Sequence, residues 1–338
     1  MSSVPITVTY SRADGLDIKL DVYVPEGVSG SAPAVLFFHG GGLASGDRRD
    51  LWFPSWLKDA SLERGWCFLS ADHRLLVPFT AHDILADVRA LAAYISSGQW
   101  SLHLPSGASP DPSRLFVSGG SAGGYLARLY ALHASPKPKA VLSLFGMGGA
   151  FLTDHWVLPH PDGIPFWGGR LPFSTVNAAL GLPEGVPVPP SAGSPVRLGP
   201  KGPYCEDGRG ALATRIIQEG LYLDYFTGKQ GLAAELKKYS TARERAAALP
   251  EEEREVFPEL RVKELPPTFL IHGDKDTLVL LHESEVTLGE LRESGVKSEL
   301  VVVEGAEHGL QLASDLKLEA PGVPEAYAKA MEFLEGCL

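Results

Sequence analysis

The sequence predicts a doubly wound α/β fold with a mostly parallel sheet and a long insertion after the sixth strand. Two observations carry this. Short, continuous apolar runs alternate with segments of helical spacing through residues 1–150 and again through 259–338. The span 151–258 between them, rich in Pro, Gly and aromatics, breaks that rhythm. Continuous apolar runs suit strands buried on both faces, and strands alternating with helices imply parallel neighbours joined by crossovers. At 338 residues the chain has room for one large core and an insertion.

The elements follow in order. Ile6–Ser11 and Leu16–Val24 alternate apolar with polar residues around the turn Ala13-Asp14-Gly15, the pattern of an antiparallel hairpin. Ala34–Phe38 is a buried third strand that ends in His39-Gly40-Gly41-Gly42. Trp52–Arg64 has helical spacing up to Gly65, and Trp66–Ala71 is the fourth strand. In Ala81–Ser97, Ile84, Leu85, Val88, Leu91, Ala92 and Ile95 recur at helical spacing. Arg114–Ser118 is the fifth strand and runs through Gly119–Gly124 into a helix over Tyr125–Ala134; Ala140–Phe145 is the sixth. Within the insertion, composition turns helical from Ala211 to about Glu255, and Glu251–Glu255 reads as a solvated helix face. Thr268–His272 and Ser298–Val303 resume the strands, with helices over His282–Ser294 and Val323–Glu335.

Composition excludes several classes. A net charge of −11 opposes a phosphate backbone or an anionic lipid surface, so no nucleic-acid partner is expected. Three widely spaced cysteines make neither a disulfide framework nor a zinc pattern, and no Cys/His/Asp cluster has metal-ligand spacing. No metal or cofactor is expected. Met1–Asp17 lacks the basic and apolar regions of a signal peptide, and the longest uncharged apolar stretch, Ala140–Thr153, is too short to span a membrane. A cytoplasmic protein is the expectation.

Four strand ends carry chemistry. Gly119-Gly120-Ser121-Ala122-Gly123 fits G-x-S-x-G between a strand and a helix, the context of a nucleophile elbow whose turn leaves no room for flanking β-carbons. His39-Gly40-Gly41-Gly42 fits an oxyanion loop: Gly41 and Gly42, with the N–H of Ala122, would receive a developing negative charge, and His39 is a structural hydrogen-bonding residue. His272-Gly273-Asp274-Lys275-Asp276 offers two rival acids after its strand, and Glu304–Gly309 holds His308 after the last strand. Serine, acid and histidine in this chain order is the order of the α/β-hydrolase fold.

Together, HGGG, GGSAGG, HGDKDTLV and EHGL resemble the α/β-hydrolase-3 group of serine esterases, related to hormone-sensitive lipase. Ala71–Leu75 is similar to that group's D-Y-R-L-x-P segment, with His73 in place of Tyr and Phe79 where an acid follows the Pro; Asp83 or Asp87 matches the later acid. The resemblance covers roughly residues 16–150 and 259–315. It implies a catalytic triad of Ser121, Asp276 and His308, with Asp276 preferred over Asp274. Two departures stand out: almost nothing precedes the first strand, where relatives carry a helical lid, and the acid segment reads HGDKD rather than DPLxD. The cap is therefore expected from 151–258.

Trp156, Phe166, Trp167, Phe173, Tyr204, Tyr222, Tyr225 and Phe226 either line an apolar pocket or form the cap's own core. Phe166 and Trp167 are taken as the substrate-contacting pair. The expected activity is hydrolysis of small to medium neutral carboxylic esters. An amide or lactone hydrolase of the formamidase kind, or a small-molecule receptor on a hydrolase fold, are the alternatives.

Overall fold

The computed structural model describes residues 4–99, 108–199 and 202–338. Strands β1 (Ile6–Ala13) and β2 (Leu16–Tyr23) form the predicted antiparallel hairpin, closed by the turn at Asp14 and Gly15. They are followed by β3 (Gly30–Phe38), β4 (Cys67–Ala71), β5 (Ala108–Gly120) and β6 (Ala140–Leu144). A small ribbon, β7 (Arg197–Gly199) and β8 (Gly202–Tyr204), lies in the insertion. The sheet resumes with β9 (Thr268–Gly273) and β10 (Ser298–Val303). Its order is β1-β2-β4-β3-β5-β6-β9-β10, antiparallel through β1, β2 and β4 and parallel from β4 to β10. β4, β6 and β9 are buried along their whole length, as their unbroken apolar runs require.

Helices cover both faces. On one side lie α1 (Ser55–Glu63) and the C-terminal helix; on the other, α2 (Ala81–Ser96) and α3 (Ala122–His133). β3 shows how one strand serves both layers. Ala32, Ala34, Leu36 and Phe38 face the α2–α3 layer, and Val35 and Phe37 face the α1 layer, at the period of two a strand imposes. Asp83 begins α2 by accepting the Thr80 N–H at 2.9 Å. α1 starts three residues later than the spacing predicts: Phe53 precedes Pro54, and a residue before proline is pushed out of the helical region.

The insertion is built from short pieces: α4 (Asp154–Val157), α5 (Val176–Ala179), α6 (Leu212–Gln218), α7 (Tyr222–Thr227), α8 (Leu232–Leu236) and α9 (Ala242–Ala248), with 3₁₀ turns between α4 and α5, before α6 and after α9. Its aromatics pack into the same core as α3. Phe151 meets Trp156 edge-on at 5.0 Å and Phe226 at 5.1 Å, and the Tyr125 hydroxyl of α3 donates to the Val256 carbonyl at 3.0 Å. Glu251–Glu255 is not a fully solvated face. Glu253 is buried and its carboxylate meets His82 Nε2 at 2.7 Å, because this 3₁₀ turn lies against α2. After β9 come α10 (His282–Glu293), an exposed ribbon of β11 (Gln311–Leu312) and β12 (Asp315–Glu319) that the sequence did not announce, and α11 (Val323–Glu335). Among the described residues, no helix is long and apolar enough to cross a membrane.

The parallel register lines up the strand ends that matter. Phe38 lies opposite Gly119, Gly120 opposite Leu144, and Val303 opposite Gly273. The loops after β3, β5, β6, β9 and β10 therefore emerge along one edge, where open α/β sheets bind ligands.

Candidate active site

The elbow is built from backbone atoms in close contact. Ser121 sits between β5 and α3 at φ 54° and ψ −120°, a left-handed conformation that costs about 1–3 kcal/mol. Its surroundings hold it there: the Ser121 N–H donates to Leu144 O and its carbonyl accepts from the Met147 N–H, both at 2.9 Å. A β-carbon on Gly123 would stand 2.0 Å from the Phe38 carbonyl oxygen, so only glycine lets α3 approach β3 this closely.

The histidine loop meets this serine from the other side. His308 Nε2 lies 2.9 Å from Ser121 Oγ, and His308 Nδ1 lies 2.8 Å from Asp276 Oδ2. A carboxylate only accepts, so Nδ1 carries the proton and Nε2 offers its lone pair to the serine. Asp276 Oδ1 accepts the N–H groups of Leu278 at 3.0 Å and Val279 at 2.8 Å, and His272 Nε2 stands 3.3 Å from Oδ2. Burial alone would raise the Asp276 carboxyl, but His308 and His272 outweigh it and hold it well below the usual carboxylate range. Asp276 stays charged beside the imidazole.

The rival acid is elsewhere. Asp274 accepts the Gly305 N–H at 2.6 Å and pairs with Lys275 at 3.1 Å, which pins the turn before the histidine loop. Glu307, the fallback candidate for the orienting acid, instead accepts from Thr277 N at 2.6 Å and from His308 N at 3.0 Å, tying the acid loop to the histidine loop.

Gly41 and Gly42 both have positive φ, at 100° and 62°. A β-carbon on Gly41 would fall 2.2 Å from the Ser45 carbonyl, and one on Gly40 would fall 3.3 Å from Ser121 Cβ, so the loop lies directly over the serine. Among the described residues, the N–H groups of Gly41 and Gly42 donate to no protein acceptor. Ala122 is fully buried as the first residue of α3. His39 has a structural position: its Nδ1 donates to the Gly40 carbonyl at 2.8 Å, and its ring stacks on His73 at 4.6 Å. Burial pushes His39 down to about 4 and His73 to about 3, so both are neutral. The D-H-R-L segment holds loops together: Arg74 pairs with Asp87 at 2.9 Å and Asp14 at 2.6 Å, and Asp72 pairs with Arg48 at 2.5 Å.

Ser121, His308, Gly41 and Gly42 open onto a cavity of about 240 Å³. Phe166 and Trp167 line it, and Phe166 also meets His308 edge-on at 5.6 Å. Trp156 lines it too. The other aromatics divide differently: Tyr222 and Phe226 are core, Tyr204 is exposed, and Phe173 lies in a separate surface groove. The opposite wall escaped the sequence reading. It consists of Trp52, Phe53 and Trp56 with Tyr327 of α11, whose ring stacks on Trp56 at 3.7 Å. Helical spacing over 52–64 suggested helix packing, and nothing local marks a residue near the C-terminus as a neighbour of Trp56. Among the described residues, no group of three or more His, Cys, Asp or Glu side chains is placed to hold a metal ion.

Two family profiles match parts of the chain: BD-FAE over residues 20–141 and the prolyl oligopeptidase family over residues 224–338. Neither is the hormone-sensitive lipase group to which the motifs were likened. A probable carboxylesterase, M8, from Phoma sp. is 28% identical over 91% of this chain and 90% of its own length. The non-reducing polyketide synthase mapC' of Penicillium brevicompactum is 28% identical over 97% of this chain, which spans only 15% of that protein. Among solved structures, the butyrate-bound esterase Est2 of Thermogutta terrifontis aligns with a TM-score of 0.58 at 21% identity, over 98% of this chain and 93% of its own. An α/β-hydrolase superfamily protein from Enterococcus faecalis aligns with a TM-score of 0.65 at 17% identity, over 99% of this chain and 100% of its own. With the strand order and the elbow after β5, these likenesses make the chain a protein of the α/β-hydrolase fold.

Proposed function

We propose that the chain is a serine carboxylic ester hydrolase acting on small to medium neutral esters. One observation carries the reading: the hydrogen-bonded relay Ser121–His308–Asp276, at 2.9 and 2.8 Å, opening onto an apolar cavity. Ser121 Oγ attacks the acyl carbon while His308 Nε2 takes its proton. The N–H groups of Gly41, Gly42 and Ala122 receive the oxyanion. His308 returns the proton to the leaving alcohol, and water hydrolyses the acyl-enzyme by the same route. Asp276 holds the imidazole tautomer and stabilises the imidazolium. The relay supplies nucleophile, base and acid, so the reading calls for no cofactor.

The segment 151–258 acts as the cap, with Phe166 and Trp167 as its contribution to the substrate site. A cavity of about 240 Å³ falls below the ~300–1,000 Å³ of sites for drug-sized ligands, which supports acyl chains of roughly two to six carbons. The relative solved with butyrate points the same way. A cytoplasmic setting fits three cysteines that all remain free.

A series of p-nitrophenyl esters of increasing chain length, beside aryl amides and lactones, tests this. Turnover that peaks on short-chain esters is the expected result. Preference for the amides would favour an amidase, the reading that the prolyl oligopeptidase match over 224–338 keeps open. No turnover of any substrate would favour a receptor.

A further inference from the structure

Glu283 stands in the first turn of α10, the helix that follows the Asp276 loop, and only 2% of it is exposed. Its carboxylate is fully engaged. Oε1 accepts the indole N–H of Trp156 at 2.5 Å, and Oε2 accepts the backbone N–H groups of Gly149 at 2.5 Å and Ala150 at 2.8 Å. Three donors converge on it, while burial pushes its carboxyl above the ordinary value. The buried Arg128 guanidinium balances it from α3 and donates to Thr287, one turn along α10, at 2.9 Å. Burying a carboxylate costs several kcal/mol unless it is paired and hydrogen-bonded, so such a group needs its partners.

One of those partners, Trp156, lines the substrate cavity. Trp156 is 1% exposed to solvent and forms part of the inner cavity wall. Its neighbour His155 donates from Nε2 to the Leu278 carbonyl at 3.0 Å, and Leu278 donates its own N–H to Asp276. Adjacent residues of α4 thus fasten the start of the insertion to the loop of the triad acid. Packing alone would leave the indole free to tilt against Phe151 and Tyr222; the bond to Glu283 removes that freedom.

We infer that Glu283 is a positioning residue for substrate selection: it holds the Trp156 indole as the inner wall of the ester cavity and couples that wall to the acid loop. This rests on the ester-hydrolase reading above. Glu283→Gln keeps the shape but replaces one acceptor with an N–H₂ donor. Whichever way the amide turns, it sets a donor against either the indole or the two backbone N–H groups, and a buried donor loses its partner. The indole is the part able to move, so the cavity floor yields.

The experiment measures the ratio of kcat/KM for p-nitrophenyl hexanoate over acetate in wild type, Glu283→Gln, Trp156→Phe and the double variant. Each single variant should raise the ratio about tenfold, the scale at which a pocket reads a methylene, mostly through KM. The double variant should shift it no further than the larger single effect, because both act through one wall. A merely structural Glu283 would lower Tm and leave the ratio unmoved, and multiplying effects in the double variant would show two independent causes; either overturns the inference. Trp156→Phe keeps an aromatic ring in the core, so if Glu283→Gln does not fold, an unchanged ratio in Trp156→Phe overturns it alone. Wild type that hydrolyses no ester overturns the ester reading and this inference together, whereas turnover with unmoved ratios overturns this inference only.

Discussion

The two sides of the cavity are made of different materials. On the sheet side, Ser121, Gly123 and the Gly40–Gly42 loop are held by backbone atoms in contact: one added β-carbon at Gly123 would approach a carbonyl to 2.0 Å. On the insertion side, the wall is side chains. Phe166 and Trp167 meet each other edge-on at 5.5 Å on a single 3₁₀ turn, and neither is fully buried. Backbone contacts leave no alternative geometry, whereas a side-chain wall can be repacked one residue at a time. On the proposed reading, the chemistry is fixed on one side of the cavity, and the choice of substrate is adjustable on the other.

The largest effect should come from the fixed side. Ser121→Ala removes the covalent step and should lower kcat on the order of 10⁶-fold, with Tm little changed because alanine keeps the same β-carbon in the turn. Active-site labelling by a phosphonate reagent should vanish with it. Full activity of this variant would end the triad reading.

Next comes the acid. Asp276→Asn leaves His308 in the wrong tautomer and should cost about 10⁴ in kcat. Asp274→Asn loosens only the turn at Gly305 and should cost far less. Equal small losses at both positions would place the orienting acid elsewhere.

The adjustable side should respond on a smaller scale. Trp167→Ala opens the cavity wall, so the chain-length optimum should move to longer acyl groups, with about a tenfold gain in relative kcat/KM per added methylene at most. A lower Tm with an unchanged chain-length profile would mean that Trp167 serves packing alone.

The smallest effect concerns the joint between the two sides. Glu259 accepts the N–H groups of Phe151 at 2.8 Å and Leu152 at 3.1 Å, and burial, with Glu283 adding, pushes its carboxyl up to about 8. A raised acid binds its proton more tightly in the folded state. Between the unfolded value near 4.5 and the folded value near 8, the unfolded chain holds fewer protons, so stability falls as pH rises through that window. Urea unfolding at several pH values should show that fall, and Glu259→Gln should flatten it. A wild-type profile flat from pH 5 to 8 would contradict it.

The chain announces most of its fold because the relevant signals are local. β4, β6 and β9 each read as an unbroken apolar run, and α2 as an apolar stripe, within one or two residues of their observed bounds. Ser121 and Gly41 were legible because a sharp turn leaves its mark in adjacent glycines, and His308 because it follows the last strand. The alternation of Ile6–Ala13 with Leu16–Tyr23 likewise specifies its own pairing, since register and face are set together.

Other features depend on residues far apart in sequence. Asp274 and Asp276 lie in one short motif, and only the loop's path turns Asp276 toward His308 and Asp274 toward Gly305. Trp56 and Tyr327 look like ordinary helical residues until α1 and α11 come together beside the cavity. Glu251–Glu255 reads as a solvated face, yet Glu253 is buried against His82; half-buried Glu259 and buried Glu283, which no local signal marked, bond to the Phe151–Leu152 backbone and to Trp156. Local composition by itself determined where strands, helices and the nucleophile turn lie, because period and steric freedom are properties of neighbouring residues. The family resemblance already preferred Asp276; only the tertiary structure brings it against His308, sets Trp56 against Tyr327 and buries Glu283 against Trp156, because burial and pairing are properties of segments that meet after folding.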